Sequence, residues 1–91
     1  MIARRYSVTG RVQGVSFRAW LREEARHAGL SGWCRNRPDG SVEAVLCGER
    51  GLVAAMARRL GEGPTHAKVE GVEDLGDTML VDGDFDIRST G

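Results

Sequence analysis

Gly10-Arg11-Val12-Gln13-Gly14-Val15-Ser16-Phe17-Arg18 is the stretch of this chain whose residue types and spacing could do chemistry. A glycine-containing turn between a strand and a helix can aim several backbone N–H groups at one point, in front of the positive end of the helix dipole. That arrangement binds anions. The glycine spacing is not that of a dinucleotide fingerprint, and the Gly-Lys-Ser/Thr of a Walker loop is missing. Arg18 falls in the first turn of the predicted helix, where a cation opposes the macrodipole at a cost of roughly 0.3–1 kcal/mol. A residue that breaks a local rule suggests a functional need. With a dianion in the loop the sign reverses, and the guanidinium offers a planar fork for two oxygens. The alternative is an ordinary surface arginine, of which the chain has many. Asn36 is the second candidate. It stands where a strand enters a turn, a place asparagine occupies for its capping ability alone. Its amide also carries a donor and an acceptor, enough to hold a water and fix its lone pair toward an electrophile.

Regular elements must position these residues. A first strand is expected over about Arg5 to Val12, with Tyr6, Val8 and Val12 on one face. A helix follows from about Ser16 to Ala28, with Phe17, Trp20, Leu21, Ala25 and Ala28 at helical spacing and Gly29 as its stop. Strands Ser31 to Asn36 and Ser41 to Gly48 meet across Arg37-Pro38-Asp39-Gly40, a turn in which Pro presets φ and Gly accepts positive φ. A second helix, about Glu49 to Leu60, carries Leu52, Val53, Met56 and Leu60 on one stripe. A fourth strand, about Ala67 to Leu75, and a short fifth, Asp84 to Arg88, complete the chain. The order β-α-β-β-α-β plus a short fifth strand predicts an α+β, ferredoxin-like split β-α-β sandwich, two helices on one face of an antiparallel sheet. Such a fold carries many unrelated activities.

Ninety-one residues suit a single domain, expected to span 1–91. Lys plus Arg balances Asp plus Glu, giving net charge zero, which argues against bulk electrostatic binding to nucleic acid. No apolar run reaches the roughly 18 residues of a membrane span, and Met1 to Arg5 lead straight into a strand with no signal-peptide core. A cytoplasmic monomer is the expectation. His27 and His66 stand alone, without the spacing of a metal site. If the predicted hairpin pairs Asn36 with Ser41, Cys34 faces Glu43 and Cys47 faces Leu30, too far apart for a disulfide. Both cysteines are expected to be reduced and partly buried.

Val8-x-Gly10-x-Val12-Gln13-Gly14-Val15-x-Phe17-Arg18 resembles the first signature of the acylphosphatases. Gly32-Trp33-Cys34-Arg35-Asn36-x-x-x-Gly40-x-Val42, closing at Gly48, resembles the second, and the similarity runs over nearly the whole chain. The resemblance implies hydrolysis of the carboxyl–phosphate bond of acyl phosphates, with no cofactor and no metal. It implies that Arg18 binds the substrate phosphate and that backbone N–H groups of Gln13, Gly14, Val15, Ser16, Phe17 and Arg18 cradle the same group. It implies that Asn36 orients the attacking water. The implied partner is a small acyl phosphate, with inorganic phosphate or sulfate as competing anions. Two other functions fit the fold. One is a non-catalytic or partner-dependent module, such as the part of hydrogenase-maturation carbamoyltransferases that acylphosphatases resemble; this chain lacks the zinc-binding cysteines such proteins carry. The other is a ferredoxin-like domain binding a small ligand or RNA; Phe17, Trp20 and Phe85 are better placed as core than as an RNA-stacking face. Turnover of acetyl or benzoyl phosphate separates the three.

Overall fold

The computed structural model describes residues 1–91. The elements are β1 (Ile2–Arg11), α1 (Phe17–His27), β2 (Ser31–Asn36), β3 (Val42–Gly48), α2 (Arg50–Leu60), β4 (Lys68–Asp77) and β5 (Phe85–Ile87). They build one five-stranded sheet in the order β4-β1-β3-β2-β5. β1 begins at Ile2, earlier than its apolar alternation alone predicts. It lies between β3 and β4, and backbone pairing with two neighbours (Ile2 with Gly48, Arg4 with Asp77) extends it past the alternating stretch.

The four long strands pair antiparallel, whereas β5 joins β2 in parallel, so the sheet is mixed. The physical reason lies in residues 78–84. β4 ends beside the start of β1, at one edge of the sheet. The chain then crosses the strand ends to the opposite edge. On the way the Thr78 N–H donates to the Ala3 carbonyl (2.9 Å) and the Ser31 hydroxyl to the Val81 carbonyl (2.6 Å). Having crossed, it can only enter β5 running in the direction of β2.

Both helices cover the same face of the sheet. α1 lies over β2 and β5, and α2 lies over β1 and β3. Phe17, Leu21 and Ala25 from α1 and Val53, Met56 and Leu60 from α2 are buried against Val8, Val42, Ala44, Leu46 and Phe85. Fully burying a side chain of Leu or Phe size contributes about 1.5–3 kcal/mol, so these positions hold the helices down. Leu52, expected on the buried stripe of α2, is instead exposed, because the helix turns its Val53–Met56–Leu60 edge to the sheet.

The hairpin register differs from the expected one. Asn36 pairs with Val42, not Ser41, and Cys34 therefore faces Ala44 while Cys47 faces Ser31. The turn takes one residue more on its far side: the Arg37 N–H donates to the Ser41 carbonyl (2.9 Å) and Asp39 accepts from the Ser41 N–H and hydroxyl. Cys34 and Cys47 are both free and buried on opposite faces of the sheet, Cys34 among the helix-side core and Cys47 beside Ala3 and Val45.

Candidate active site

The loop from Val12 to Ser16 leaves the end of β1 and feeds α1. Gly14 (φ 72°) and Ser16 (φ 65°) both adopt the left-handed conformation, and Ser16 is the one non-glycine residue of the chain to do so. Alternating handedness of this kind curls successive N–H groups toward one concavity. Ser16 stands at the N-cap of α1, yet its hydroxyl caps nothing. The N–H groups from Gln13 through Ala19 donate to no backbone or side-chain acceptor in the fold. The first turn of any helix leaves such donors; here the free run continues back through the loop.

Five of the residues that carry these donors, Gly14, Ser16, Phe17, Arg18 and Ala19, line a cavity of roughly 350 Å³ together with Val12 and Ile87. Of the residues singled out in the sequence, Gly14, Ser16, Phe17 and Arg18 line it. Gln13, Val15 and Asn36 do not. Val12, read in the sequence as a core-facing strand residue of the same stretch, also lines it, and Ala19 and Ile87 were not anticipated. Ile87 was legible only as an alternating strand residue; its place at the cavity depends on β5 lying parallel to β2, which brings the end of β5 to the same end of the sheet as the loop.

β3 separates β1 from β2, so the loop and Asn36 meet through the sheet's end and not through strand pairing. Cys34 Sγ lies 3.9 Å from the Arg18 carbonyl oxygen, which seats β2 against the first turn of α1. Asn36, two residues on, faces the same side. Its Oδ1 is buried and accepts no hydrogen bond from the protein. A buried acceptor without a partner costs about 1–3 kcal/mol, and in a native fold such an atom calls for an explanation such as a bound water. The Gln13 side chain closes the arrangement: its Nε2 donates to the carbonyls of Arg37 and Ser41, each at 2.9 Å, on the turn that follows Asn36.

The nearest thiol is no nucleophile. Burial pushes Cys34 up to about 12, and the neighbouring Arg18 and Arg22 only partly offset it. At neutral pH the sulfur is a protonated thiol, with no base beside it. No three His, Cys, Asp or Glu side chains come together where they could hold a metal ion.

The sequence model of the acylphosphatase family matches residues 4–87. The chain belongs to the acylphosphatase family. It is 59 % identical over 69 residues to an acylphosphatase of Rubrobacter xylanophilus, covering 76 % of this chain and 63 % of that relative. It is 54 % identical over 71 residues to an acylphosphatase of Rhodopseudomonas palustris, covering 78 % and 72 % of the two chains. The structure of an acylphosphatase from Coxiella burnetii superposes with a TM-score of 0.88 at 38 % identity, covering 96 % of this chain and 92 % of that one. The matched residues 4–87 include both signatures, the loop, Asn36 and Ile87. No helix is long and apolar enough to cross a membrane.

Proposed function

We propose that this enzyme hydrolyses the carboxyl–phosphate bond of acyl phosphates by direct, metal-free attack of water, with the loop N–H groups and Arg18 holding the phosphate and Asn36 holding the water. The observation that carries the proposal is the run of free backbone donors from Gln13 to Ala19, five of whose residues, Arg18 among them, line one cavity. Phosphoryl transfer through a loose transition state is mostly positioning and electrostatics, and the charge it develops lies on the equatorial oxygens. Converging N–H dipoles and one guanidinium meet that charge.

The reaction needs little else. The bond broken joins phosphorus to a carboxylate oxygen, and the leaving carboxylate has a conjugate acid of pKa about 4, so it departs unprotonated. No general acid is required, in keeping with a site whose polar groups are amides, a hydroxyl and a guanidinium. The new bond forms between phosphorus and the water oxygen, and the water's proton passes to the substrate's own phosphate oxygens. The Asn36 amide orients the water by accepting a hydrogen bond from it at Oδ1, the atom that has no partner within the protein. Val12, Phe17, Ala19 and Ile87 give the cavity an apolar wall against which the acyl group rests. Inorganic phosphate and sulfate offer the cradle the same tetrahedral anion and compete with substrate.

Arg18→Ala tests the assignment. Charged hydrogen bonds contribute roughly 1.5–3 kcal/mol each, so loss of the fork should remove both phosphate binding and benzoyl phosphate turnover. Near-normal hydrolysis by that variant would remove Arg18 from the site.

A further inference from the structure

We infer that the side chain of Gln13 is a positioning residue that fixes Asn36 relative to the phosphate cradle; the inference rests on the water-orienting role proposed for Asn36. Gln13 Nε2 spends both its hydrogens on one target, the Arg37 and Ser41 carbonyls at 2.9 Å each, across 24 and 28 residues of sequence. The turn does not need these bonds to close. The Arg37 carbonyl already accepts from the Gly40 N–H (3.1 Å), and the Ser41 carbonyl already accepts from the Arg37 N–H (2.9 Å). What Gln13 adds is a link between two segments that lack backbone pairing of their own, because β3 lies between β1 and β2.

The chemistry of the link is specific. Two carbonyl oxygens have to be met by two donors on a single nitrogen at the end of a side chain. A primary amide supplies that pair without bringing a charge into a part-buried place. Glutamate, its shape equivalent, would set acceptor oxygens against acceptors. Asparagine falls one methylene short. Gln13 belongs to the cradle through its own backbone, and Arg37 directly follows Asn36, so the two amide bonds tie the phosphate-holding loop to the residue before which the water sits. A misplacement of about 1 Å between nucleophile and phosphorus is enough to cost roughly 10²-fold in rate. A link whose only effect is on that distance acts on turnover and not on affinity.

The experiment compares the wild type, Gln13→Met, Asn36→Ala and the double variant, each checked for its melting temperature. It reads kcat and KM on benzoyl phosphate and the Kd of inorganic phosphate by calorimetry. Gln13→Met keeps length and loses both donors. Its kcat is expected to fall about 10–100-fold, while the phosphate Kd moves less than about 3-fold. In the Asn36→Ala background the same change is expected to lower kcat by less than about 2-fold, since residues acting through one another are not additive. Losses that multiply in the double variant, or phosphate affinity falling together with kcat, would overturn the inference. Full turnover by Asn36→Ala alone would instead overturn the reading beneath it. Should Gln13→Met fail to fold, Gln13→Asn carries the same comparison: its kcat is expected to fall at unchanged phosphate Kd, and wild-type kcat in that variant would overturn the inference.

Discussion

In the proposed mechanism, two side chains and one backbone angle divide the work at the site. Arg18 supplies charge where the helix N-terminus already favours an anion, and Asn36 supplies a buried acceptor that the protein leaves free. If the amide acts on water alone, Asn36→Ala should lower kcat about 10²–10³-fold, by analogy with losing one positioned donor, and leave inorganic phosphate bound. Titration calorimetry on the variant decides this, and lost phosphate binding would give Asn36 a place in the cradle instead. Ser16 holds φ 65° with a side chain whose hydroxyl does not cap the helix. The left-handed region costs a residue with a Cβ about 1–2 kcal/mol, and glycine enters it freely. Ser16→Gly is therefore expected to stabilise the fold by about 1 kcal/mol net of the added chain entropy, raising the melting temperature by about 4–8 °C. An unchanged or lower midpoint would mean the strain is relieved by something else in the loop.

At the scale of elements, the site depends on where β2 lies. β2 is paired on both sides, with β3 and with β5, and brings Asn36 to the end of the sheet where the loop sits. Gly32 makes that close pairing possible: it holds φ 130°, and a Cβ there would run into the Val45 carbonyl oxygen of β3. Gly32→Ala is expected to cost at least about 2 kcal/mol, since backbone on a neighbouring strand cannot move aside as a flexible side chain can. Urea unfolding measures it, and a loss under about 0.5 kcal/mol would show that the strand tolerates a side chain at this point. The helices contribute through one edge each. α1 carries the cradle's last donors at its start and, at its far end, holds β5 through Arg26, whose Nε donates to the Phe85 carbonyl at 2.9 Å.

Across the whole molecule, net charge zero conceals a sorted surface. On the sheet face that the helices leave open, Glu43 is only 2 % exposed and is met by Arg35 (2.8 Å), Arg37 (3.0 Å) and Arg5 (3.4 Å). Arg35 and Arg88 both stack on Trp33 nearby. The pH dependence of stability is also a property of the whole fold. The Ser41 hydroxyl holds Asp39 below its ordinary value of 3.8, and the Arg4 guanidinium does the same for Asp74. Groups with lowered values contribute stability above about pH 4, which is lost as pH falls through their depressed values. Burial raises Cys34 from 9.0 to about 12 and also raises Tyr6 above 10.0. For these acids the fold retains a proton that the unfolded chain gives up, so their contribution is complete below about pH 9 and is lost as pH rises from there toward 12. Urea midpoints are therefore expected to be level between about pH 5 and 9 and to fall on either side. A midpoint still rising above pH 9 would contradict the burial of these two groups.

The element order, the identity of the loop and the candidacy of Arg18 and Asn36 were legible in the sequence, because each is a local property. Periodicity follows from side-chain geometry within one element, and a glycine turn before a helix start is written in neighbouring residues. Tertiary structure decided what depends on residues far apart. The direction of β5 follows from a crossing that no local pattern encodes. The hairpin register depends on how Asp39 and Ser41 bond within the turn, and it moved both cysteines by one partner. Glu43 is buried among three arginines from two strands and a turn, which only the sheet and its hairpin bring together. The cavity acquired Ile87, and Gln13 acquired its two carbonyls, only when the sheet brought separate segments to one end.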